Sequence, residues 1–307
     1  MSVLIGMGTW AYTCDAHRQV DDVARQLAQE GYDGLELDGG DTYFSPTNYP
    51  TSADRRGLVE RFRDLGVTPC GYNPPFYDVP PTSSEPDIRR QFAERAKAAI
   101  DFAADCEMPT MRVDTAVAPP GPDDIAATDA TNRLVEAWRL MAEHAASRGV
   151  SVVWEFEPGF MRNRPSEILN LIESVNHPSF TTLYDSCHAH MCAAVGARQE
   201  PPVETLPGGE IEMAERLRGR IGLIHLIDSD NTIHDEFTST HAPFGRGVID
   251  FDKLMGMLKT VEYDNPWWTV DLCFWPDAWA ATAACKKYVD EVLVPKFGSG
   301  AQEKMYA

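Results

Sequence analysis

Eight short apolar runs, each followed by a segment with helical periodicity, constrain the fold of this chain more than any other sequence feature. Runs of this length that alternate with helices are typical of parallel βα repeats. Eight strands close a (β/α)8 barrel, which takes about 250 residues and absorbs extra length in its loops. The runs are Val3–Gly8, Gly34–Asp38, Val67–Tyr72, Thr110–Asp114, Val150–Glu155, Thr181–Asp185, Ile221–Ile227 and Trp267–Leu272.

The 307 residues contain no linker or shift in composition that would divide them. We therefore predict one α/β domain, a single (β/α)8 TIM barrel over residues 1–297, with residues 298–307 as a C-terminal tail. Three connections are longer than a barrel requires, and all follow strands on the side where barrel enzymes build their sites. They are Asp38–Ser52, Asn73–Pro86 and Ser186–Glu210.

Composition narrows the classes of partner and compartment. With 47 acidic against 27 basic residues the formal charge is −20, so neither nucleic acid nor an anionic membrane is an expected partner. The N-terminal segment has no Lys or Arg before its apolar run and is interpreted as a first strand, and no apolar stretch approaches the ~20 residues of a membrane span. Seven scattered cysteines without a C-x-x-C pair argue against a disulfide framework or a thiolate zinc site, which favours a cytoplasmic protein.

Polar residues stand at the ends of the last four predicted strands. They are Glu155 in VVWEFEPG, Asp185 in TLYDSCHAH, His225 in LIHLIDSD and Asp271 in WWTVDLCF. Strand ends of a barrel converge on one rim, so these side chains are expected to meet. Three carboxylates and one imidazole suit Mn²⁺, Mg²⁺, Zn²⁺ or Co²⁺. Each residue alone would be ordinary, but four on consecutive strand ends indicate a metal site.

The order of these motifs along the chain resembles that of a known superfamily. E-x-E-P-G after strand 5, D-S-x-H after strand 6, H-x-x-D on strand 7 followed by G-x-G-x-I-D-F, and an acidic end to strand 8 resemble the xylose isomerase-like TIM-barrel superfamily. That superfamily includes inosose and hydroxypyruvate isomerases, ketose 3-epimerases, apurinic endonucleases of the barrel type and the catalytic subunits of bacterial C-glycoside deglycosidases. The resemblance covers nearly the whole chain.

The resemblance implies a ligand set and catalytic roles. Glu155, Asp185, His225 and Asp271 would bind one divalent metal, with Mn²⁺ as first choice, and Glu155 and Asp271 would also be catalytic carboxylates. The epimerases usually have Glu where this chain has Asp271, and the shorter side chain puts their two-glutamate acid/base pair in question. Glu157 lies two residues beyond Glu155 and is the competing ligand.

Other site residues follow from the same resemblance. His188, three residues after Asp185, would bind substrate hydroxyls and act in catalysis, or else orient Asp185. Arg246 in F-G-R-G would contact substrate oxygen or lie free in its loop, and Asp228 would support the ligands. Rim aromatics that could pack against a sugar or a flat aglycone include Trp10, Tyr12 and Trp275. His234 and His241 are interpreted as exposed loop residues.

These features predict metal-dependent removal of a proton next to a carbonyl in an unphosphorylated keto-sugar, inosose or sugar conjugate, giving isomerisation or epimerisation. The absence of a Gly-rich phosphate loop disfavours phosphorylated sugars. The alternatives are elimination from a 3-oxo glycoside, as in C-glycoside deglycosidases with their small β-rich partner subunit, and a non-catalytic barrel that binds a sugar or a protein. An apurinic endonuclease would need more histidine ligands and a basic groove. We also expect the chain to form an oligomer.

Overall fold

A computed structural model describes residues 3–15, 17–40, 43–118, 124–235 and 237–298. Eight parallel strands close a barrel, which confirms the predicted single (β/α)8 barrel. Each strand begins and ends within two residues of its predicted limits. The barrel strands are β1 (Leu4–Gly8), β2 (Gly34–Asp38), β3 (Thr68–Asn73), β4 (Thr110–Val113), β5 (Ser151–Glu155), β6 (Phe180–Asp185), β7 (Ile221–Leu226) and β10 (Trp267–Val270). Around the barrel they follow the order β1–β10–β7–β6–β5–β4–β3–β2.

Helices connect the strands and pack on the outside of the barrel. Local sequence signals set the helix limits. The helix Ser52–Leu65 begins after a capping box formed by Thr51 and Asp54, and it ends at Gly66, which lies in the left-handed region with φ 92°. The helices are α1 (Val20–Gln29), α2 (Ser52–Leu65), α3 (Pro86–Asp105), α4 (Asp124–Arg148), α5 (Pro165–Val175), α6 (Ser186–His190), α7 (Gly209–Arg216), α8 (Phe251–Leu258), α9 (Ala278–Tyr288) and α10 (Val294–Phe297). Short π-helical turns are Ala11–Asp15, Met191–Val195 and Val289–Leu293.

The barrel interior has an apolar part and a polar part. Cys70, Val153, Leu183, Leu223 and Trp267 form a buried cluster inside the strands, separate from the larger core between strands and helices. Buried charged and polar residues lie further along the strands, toward their carboxyl ends. The apolar cluster closes the barrel beneath a polar chamber, because side chains fill the interior of an eight-stranded barrel in layers.

An antiparallel hairpin after β7 was not predicted. It consists of β8 (Asp228–His234) and β9 (Thr238–Ala242). The side chain of Asp228 accepts hydrogen bonds from the backbone N–H groups of Gly245, Gly247 and Ile249, each at 3.0 Å. A Cβ at Gly247 would lie 2.4 Å from Asp228 Oδ1, so only glycine fits this approach. Asp228 therefore holds the loop that follows the hairpin against the barrel rim. The sequence had suggested instead that Asp228 would support the metal ligands.

We expect Asp228→Asn to destabilise the protein by about 2–3 kcal/mol, because one carboxylate oxygen is replaced by an amide that cannot accept from these N–H groups. Urea unfolding monitored by circular dichroism measures the change. Asp230→Asn is the matched control, because Asp230 lies on the same hairpin and accepts its bonds from Thr232 at an exposed position. Equal stability of the two variants would show that the loop anchor contributes nothing.

No helix within the described ranges is long and apolar enough to cross a membrane. The predicted tail, residues 298–307, lies outside the described residues except for Gly298.

Candidate metal centre and catalytic cleft

The structure brings together the four side chains predicted as metal ligands. Nδ1 of His225 lies 3.3 Å from Oε1 of Glu155, 3.5 Å from Oδ2 of Asp271 and 3.9 Å from Oδ2 of Asp185. One ligand atom from each residue lies within 4.8 Å of all the others. All four residues are buried. They meet because β5, β6 and β7 are neighbours in the barrel and β10 lies beside β7.

Unpaired atoms in this cluster face one another. Within the described part of the chain, Glu155 Oε1, Asp185 Oδ2 and His225 Nδ1 make no hydrogen bond although they are buried. Buried polar atoms without partners are costly, and a cation bound among these three atoms would pair with all of them. The residues therefore fit a divalent ion of the Mn²⁺, Mg²⁺, Co²⁺ or Zn²⁺ type.

Glu36 on β2 supports the histidine. Its Oε2 lies 2.9 Å from Nε2 of His225, which leaves Nδ1 directed toward the three carboxylates. Burial alone lowers the pKa of His225, but the Glu36 carboxylate and the other acidic neighbours raise it well above its usual value. A proton then takes the position where a cation would bind, so metal binding should release it. The sequence prediction did not include Glu36.

The other two predicted ligands, Asp185 and Asp271, are held by backbone N–H groups. Asp185 Oδ1 accepts from the backbone N of His188 at 2.7 Å, and Asp271 Oδ1 accepts from the backbone N of Cys273 at 3.1 Å. Burial raises the pKa of Asp185 to about 6. Each carboxylate keeps one oxygen directed into the cluster, so the shorter side chain of Asp271 still reaches it.

Arg112 on β4 is a functional residue that sequence reasoning missed. Its Nε donates to Glu155 Oε2, and its Nη2 donates to Oε1 of Glu157 at 2.9 Å. Its Nη1 donates to Asn73 at 2.9 Å and to Asp114 at 3.1 Å. The guanidinium thus fixes one oxygen of Glu155 and leaves Oε1 for the cluster. The sequence shows only that a charge interrupts the apolar run Thr110–Asp114. That this charge is buried and must be paired follows from closure of the barrel.

Glu157 and His188 form a second group beside the ligands. Glu157 contacts Arg112 and the hydroxyl of Thr238, and its Oε2 lies 3.8 Å from Nε2 of His188. Nδ1 of His188 is 2.9 Å from the hydroxyl of Ser239. Burial raises the pKa of Glu157 to about 8 and lowers that of His188 to about 3. Of the two glutamates weighed from the sequence, Glu155 therefore faces the metal-ligand cluster and Glu157 faces His188.

His241 corrects an expectation. It is fully buried on β9, with Nε2 3.7 Å from Asp185 Oδ1 and Nδ1 3.6 Å from Asp271 Oδ2. Its ring centre lies 4.6 Å from that of His188. The hairpin carries this imidazole over the ligands, and because the hairpin was not predicted, the histidine was interpreted as exposed. His234, by contrast, is partly exposed.

A cleft opens beside these groups. Glu155, Glu157, His188, Arg112 and Asp271 contribute its polar wall, together with Asn73. Aromatic side chains surround its mouth, and they are Trp10, Tyr77, Phe237 and Phe274. A cleft with a polar wall and aromatic edges is suited to a small polar molecule with apolar faces.

The remaining predicted substrate contacts lie elsewhere, except for Trp10 at the mouth of the cleft. Tyr12 is buried, with its hydroxyl bonded to Thr282, and does not line the cleft. Trp275 lines a neighbouring groove with His234. Arg246 is exposed and lies outside the residues that form the described cleft wall.

Fold and site together define a class of protein, a (β/α)8 barrel with a buried carboxylate–imidazole cluster at the carboxyl end of its strands. The model of the xylose isomerase-like TIM barrel family matches residues 24–287, and the chain belongs to this family. No curated protein sequence matches it significantly.

Similar solved structures extend over nearly the whole barrel. A D-tagatose 3-epimerase-like protein has a TM-score of 0.70 at 18% identity, over 95% of this chain and 98% of that one. D-psicose 3-epimerase with D-tagatose, from Clostridium cellulolyticum H10, has 0.68 at 16%, over 95% and 98%. The IOLI protein with a zinc atom has 0.70 at 16%, over 98% and 100%. At these identities the similarity establishes the fold.

Proposed function

We propose that this chain is a metal-dependent enzyme that removes a proton next to a carbonyl group in an unphosphorylated keto-sugar, inosose or sugar conjugate, and returns it to give an isomer or epimer. The observation that carries the proposal is the set of unpaired ligand atoms of Glu155, Asp185 and His225, beside Asp271 and next to an open cleft. Two structural neighbours support the substrate class and the metal: a D-psicose 3-epimerase solved with D-tagatose, and the IOLI protein solved with a zinc atom.

The metal requirement follows from the chemistry. When bound, one divalent ion, with Mn²⁺ as first choice and Mg²⁺, Co²⁺ or Zn²⁺ as alternatives, supplies positive charge where a carbonyl oxygen becomes negative. Glu155 and Asp271 each have one oxygen fixed by a hydrogen bond, which keeps the other oxygen in place. Both residues remain candidates for proton transfer as well as for ligation.

We assign the transfer of the substrate proton to His188, and Glu157 lies next to it. Nε2 of His188 borders the cleft while Ser239 holds the opposite ring nitrogen, so the ring is oriented before substrate arrives. His188 Nε2 and Glu157 Oε2 lie 3.8 Å apart, too far for a direct hydrogen bond but close enough for both groups to meet the same side of a bound substrate. This arrangement favours transfer along one face of the substrate, as isomerisation requires.

The charge of the cleft supports an unphosphorylated substrate. Among the residues that form the described cleft wall, Arg112 is the only arginine or lysine, and Glu155, Glu157, Asp114 and Asn73 occupy its nitrogens. A phosphate would require free basic donors.

The aromatic side chains at the mouth of the cleft favour a second candidate function. Tyr77 and Phe237 are 43% and 36% exposed there, and aromatic rings at this position can stack against a flat apolar group. They could hold the aglycone of a 3-oxo glycoside, from which the same proton transfer would expel a leaving group. Such a C-glycoside lyase could require a small β-rich partner subunit, and co-purification of a second chain would support it.

Incubation in D₂O tests the proposal. With Mn²⁺ bound, we expect deuterium to enter the carbon next to the carbonyl of free ketoses, inososes or a 3-oxo glycoside, as measured by NMR. The product then separates isomerisation, epimerisation and elimination. If metal binds but none of these compounds exchanges, the non-catalytic, sugar- or protein-binding alternative is favoured.

A further inference from the structure

A separate groove lies beside the catalytic cleft, and Phe274 borders both. The groove has a volume of about 500 Å³, whereas the cleft next to the predicted metal ligands has room for about 50 Å³. The cleft therefore accepts the reacting end of a substrate, and the larger space lies in the groove. The described residues of the groove wall include Asp230, His234, Asp235, Phe274, Trp275 and Asp277.

The groove lies within reach of the metal centre. Phe274 and Trp275 follow the predicted ligand Asp271 by three and four residues, so the chain places them no more than about 14 Å from it. The backbone N–H of Cys273 donates to Asp271 Oδ1, which holds this segment next to the ligand. A molecule that reacts beside Asp271 can therefore extend a second ring into the groove.

Aromatic rings form one side of the groove. Phe274 has φ 61°, a conformation that is uncommon for a bulky residue and that its surroundings must hold. The ring of His234, on the hairpin, stacks on it with ring centres 4.5 Å apart and 14° between the planes. Trp275 is half-buried in the same wall. Aromatic faces held in this way can pack against the apolar face of another ring.

The charge of the groove is negative. Asp230, Asp235 and Asp277 line it, and its described wall contains no Lys or Arg. Asp277 precedes helix α9 without capping it, so its exposed carboxylate remains available. Carboxylate oxygens accept hydrogen bonds from hydroxyl groups and repel anions. The groove is therefore suited to an uncharged ring that bears hydroxyl groups, and it disfavours a ring with a carboxylate or phosphate.

We propose that this groove binds a second, uncharged and hydroxylated ring of the substrate, so that the enzyme acts on a two-ring conjugate in preference to a free keto-sugar. The inference rests on the proposed function for the first ring, which reacts in the cleft. It differs from binding at the cleft mouth by Tyr77 and Phe237, because neither residue lines the groove.

Saturation-transfer NMR on the Mn²⁺-loaded protein tests the proposal, because it detects the protons of each ring separately. One pair of probes is D-fructose and lactulose, which adds a galactose ring; the other is methyl and 4-hydroxyphenyl β-D-glucopyranoside, of which the second carries a phenol. We expect the second ring of at least one pair to be saturated and to tighten binding about threefold to tenfold. Saturation of galactose identifies a sugar as the second ring, and saturation of the phenol alone identifies an aromatic one.

Two variants locate the second ring. Trp275→Ala should remove the gain in affinity that the second ring gives. Asp277→Lys should admit 4-carboxyphenyl β-D-glucopyranoside, whose anionic ring the parent should not hold, and it keeps the test decisive if Trp275→Ala does not fold. Asp264→Lys is the matched control, because this exposed aspartate precedes β10 at the opposite end of the barrel, and it should behave like the parent.

A second ring that gains neither saturation nor affinity in the parent would overturn the proposal. Loss of the gain in Tyr77→Ala, with the gain retained in folded Trp275→Ala, would overturn it too, because the second ring would then lie at the cleft mouth. Failure of the proposed function is measured separately, as the absence of deuterium exchange from every ketose, inosose and 3-oxo glycoside, whichever ring binds.

Discussion

Replacing both Asp185 and His225 with alanine should reduce bound Mn²⁺ from one ion per chain to none. The two residues supply ligand atoms from adjacent strands, and Asp185 and His225 are direct partners in the register of β6 and β7. Their loss leaves Glu155 and Asp271, which cannot surround a cation. Dialysis followed by elemental analysis measures the loss.

The control variant removes the same two residue types from another part of the chain. Asp230→Ala/His234→Ala removes the same two residue types from the hairpin outside the cluster, and it should retain the ion. Glu36→Gln should give an intermediate result, about 10–100-fold weaker binding, because Glu36 orients the His225 ring without facing the metal position. Full occupancy in the Asp185/His225 variant would show that the ion, if present, binds elsewhere.

Chelation of the parent should leave its circular dichroism unchanged. A barrel of this size is held by its apolar core, and the buried cluster of Cys70, Val153, Leu183, Leu223 and Trp267 contains none of the four predicted ligands. Cooperative unfolding on chelation would contradict this separation.

The barrel and the cluster of four predicted ligands could both be predicted from the sequence. Both depend on local sequence patterns and on one geometric rule about where strand ends lie in a barrel. Apolar runs specify strands, and the closed parallel order brings strand ends to one rim. Glu155, Asp185 and His225 lie at or next to such ends, and Asp271 follows the last strand. Their proximity followed from topology alone.

The residues that sequence reasoning missed are placed by contacts between distant segments of the chain, which no local sequence pattern records. Glu36 and Arg112 lie within strands, where a charge can equally mark a solvent-facing position, and only closure of the barrel turns them inward. His241 depends on a hairpin whose loop is fixed by Asp228 and by the close approach of Gly247. Thr238 and Ser239 reach Glu157 and His188 through the same hairpin.

His188→Gln should lower kcat by about 10²–10⁴-fold while the variant keeps its metal, because a general acid–base group contributes a factor of that size. The metal should remain because Asp185 is held by the backbone N–H of residue 188, which any substitution except proline retains. Glutamine can preserve a hydrogen bond to Ser239 but cannot accept and return a proton. Steady-state rates and solvent deuterium exchange, on whichever substrate exchanges in the parent, measure the effect.

His190→Gln is the matched control for this variant. His190 lies on the same short helix but is bonded to Glu210 and Asn231, at 2.9 and 2.7 Å, on the side away from the cleft wall. We expect its kcat to stay within about threefold of the parent, since it takes no part in the proton transfer. If His188→Gln lost the ion together with activity, the role of His188 would be to hold the centre together; if it kept full activity, the proton would have to be carried by Glu157, Glu155 or Asp271. A low kcat with one ion still bound is the result that assigns the proton to His188.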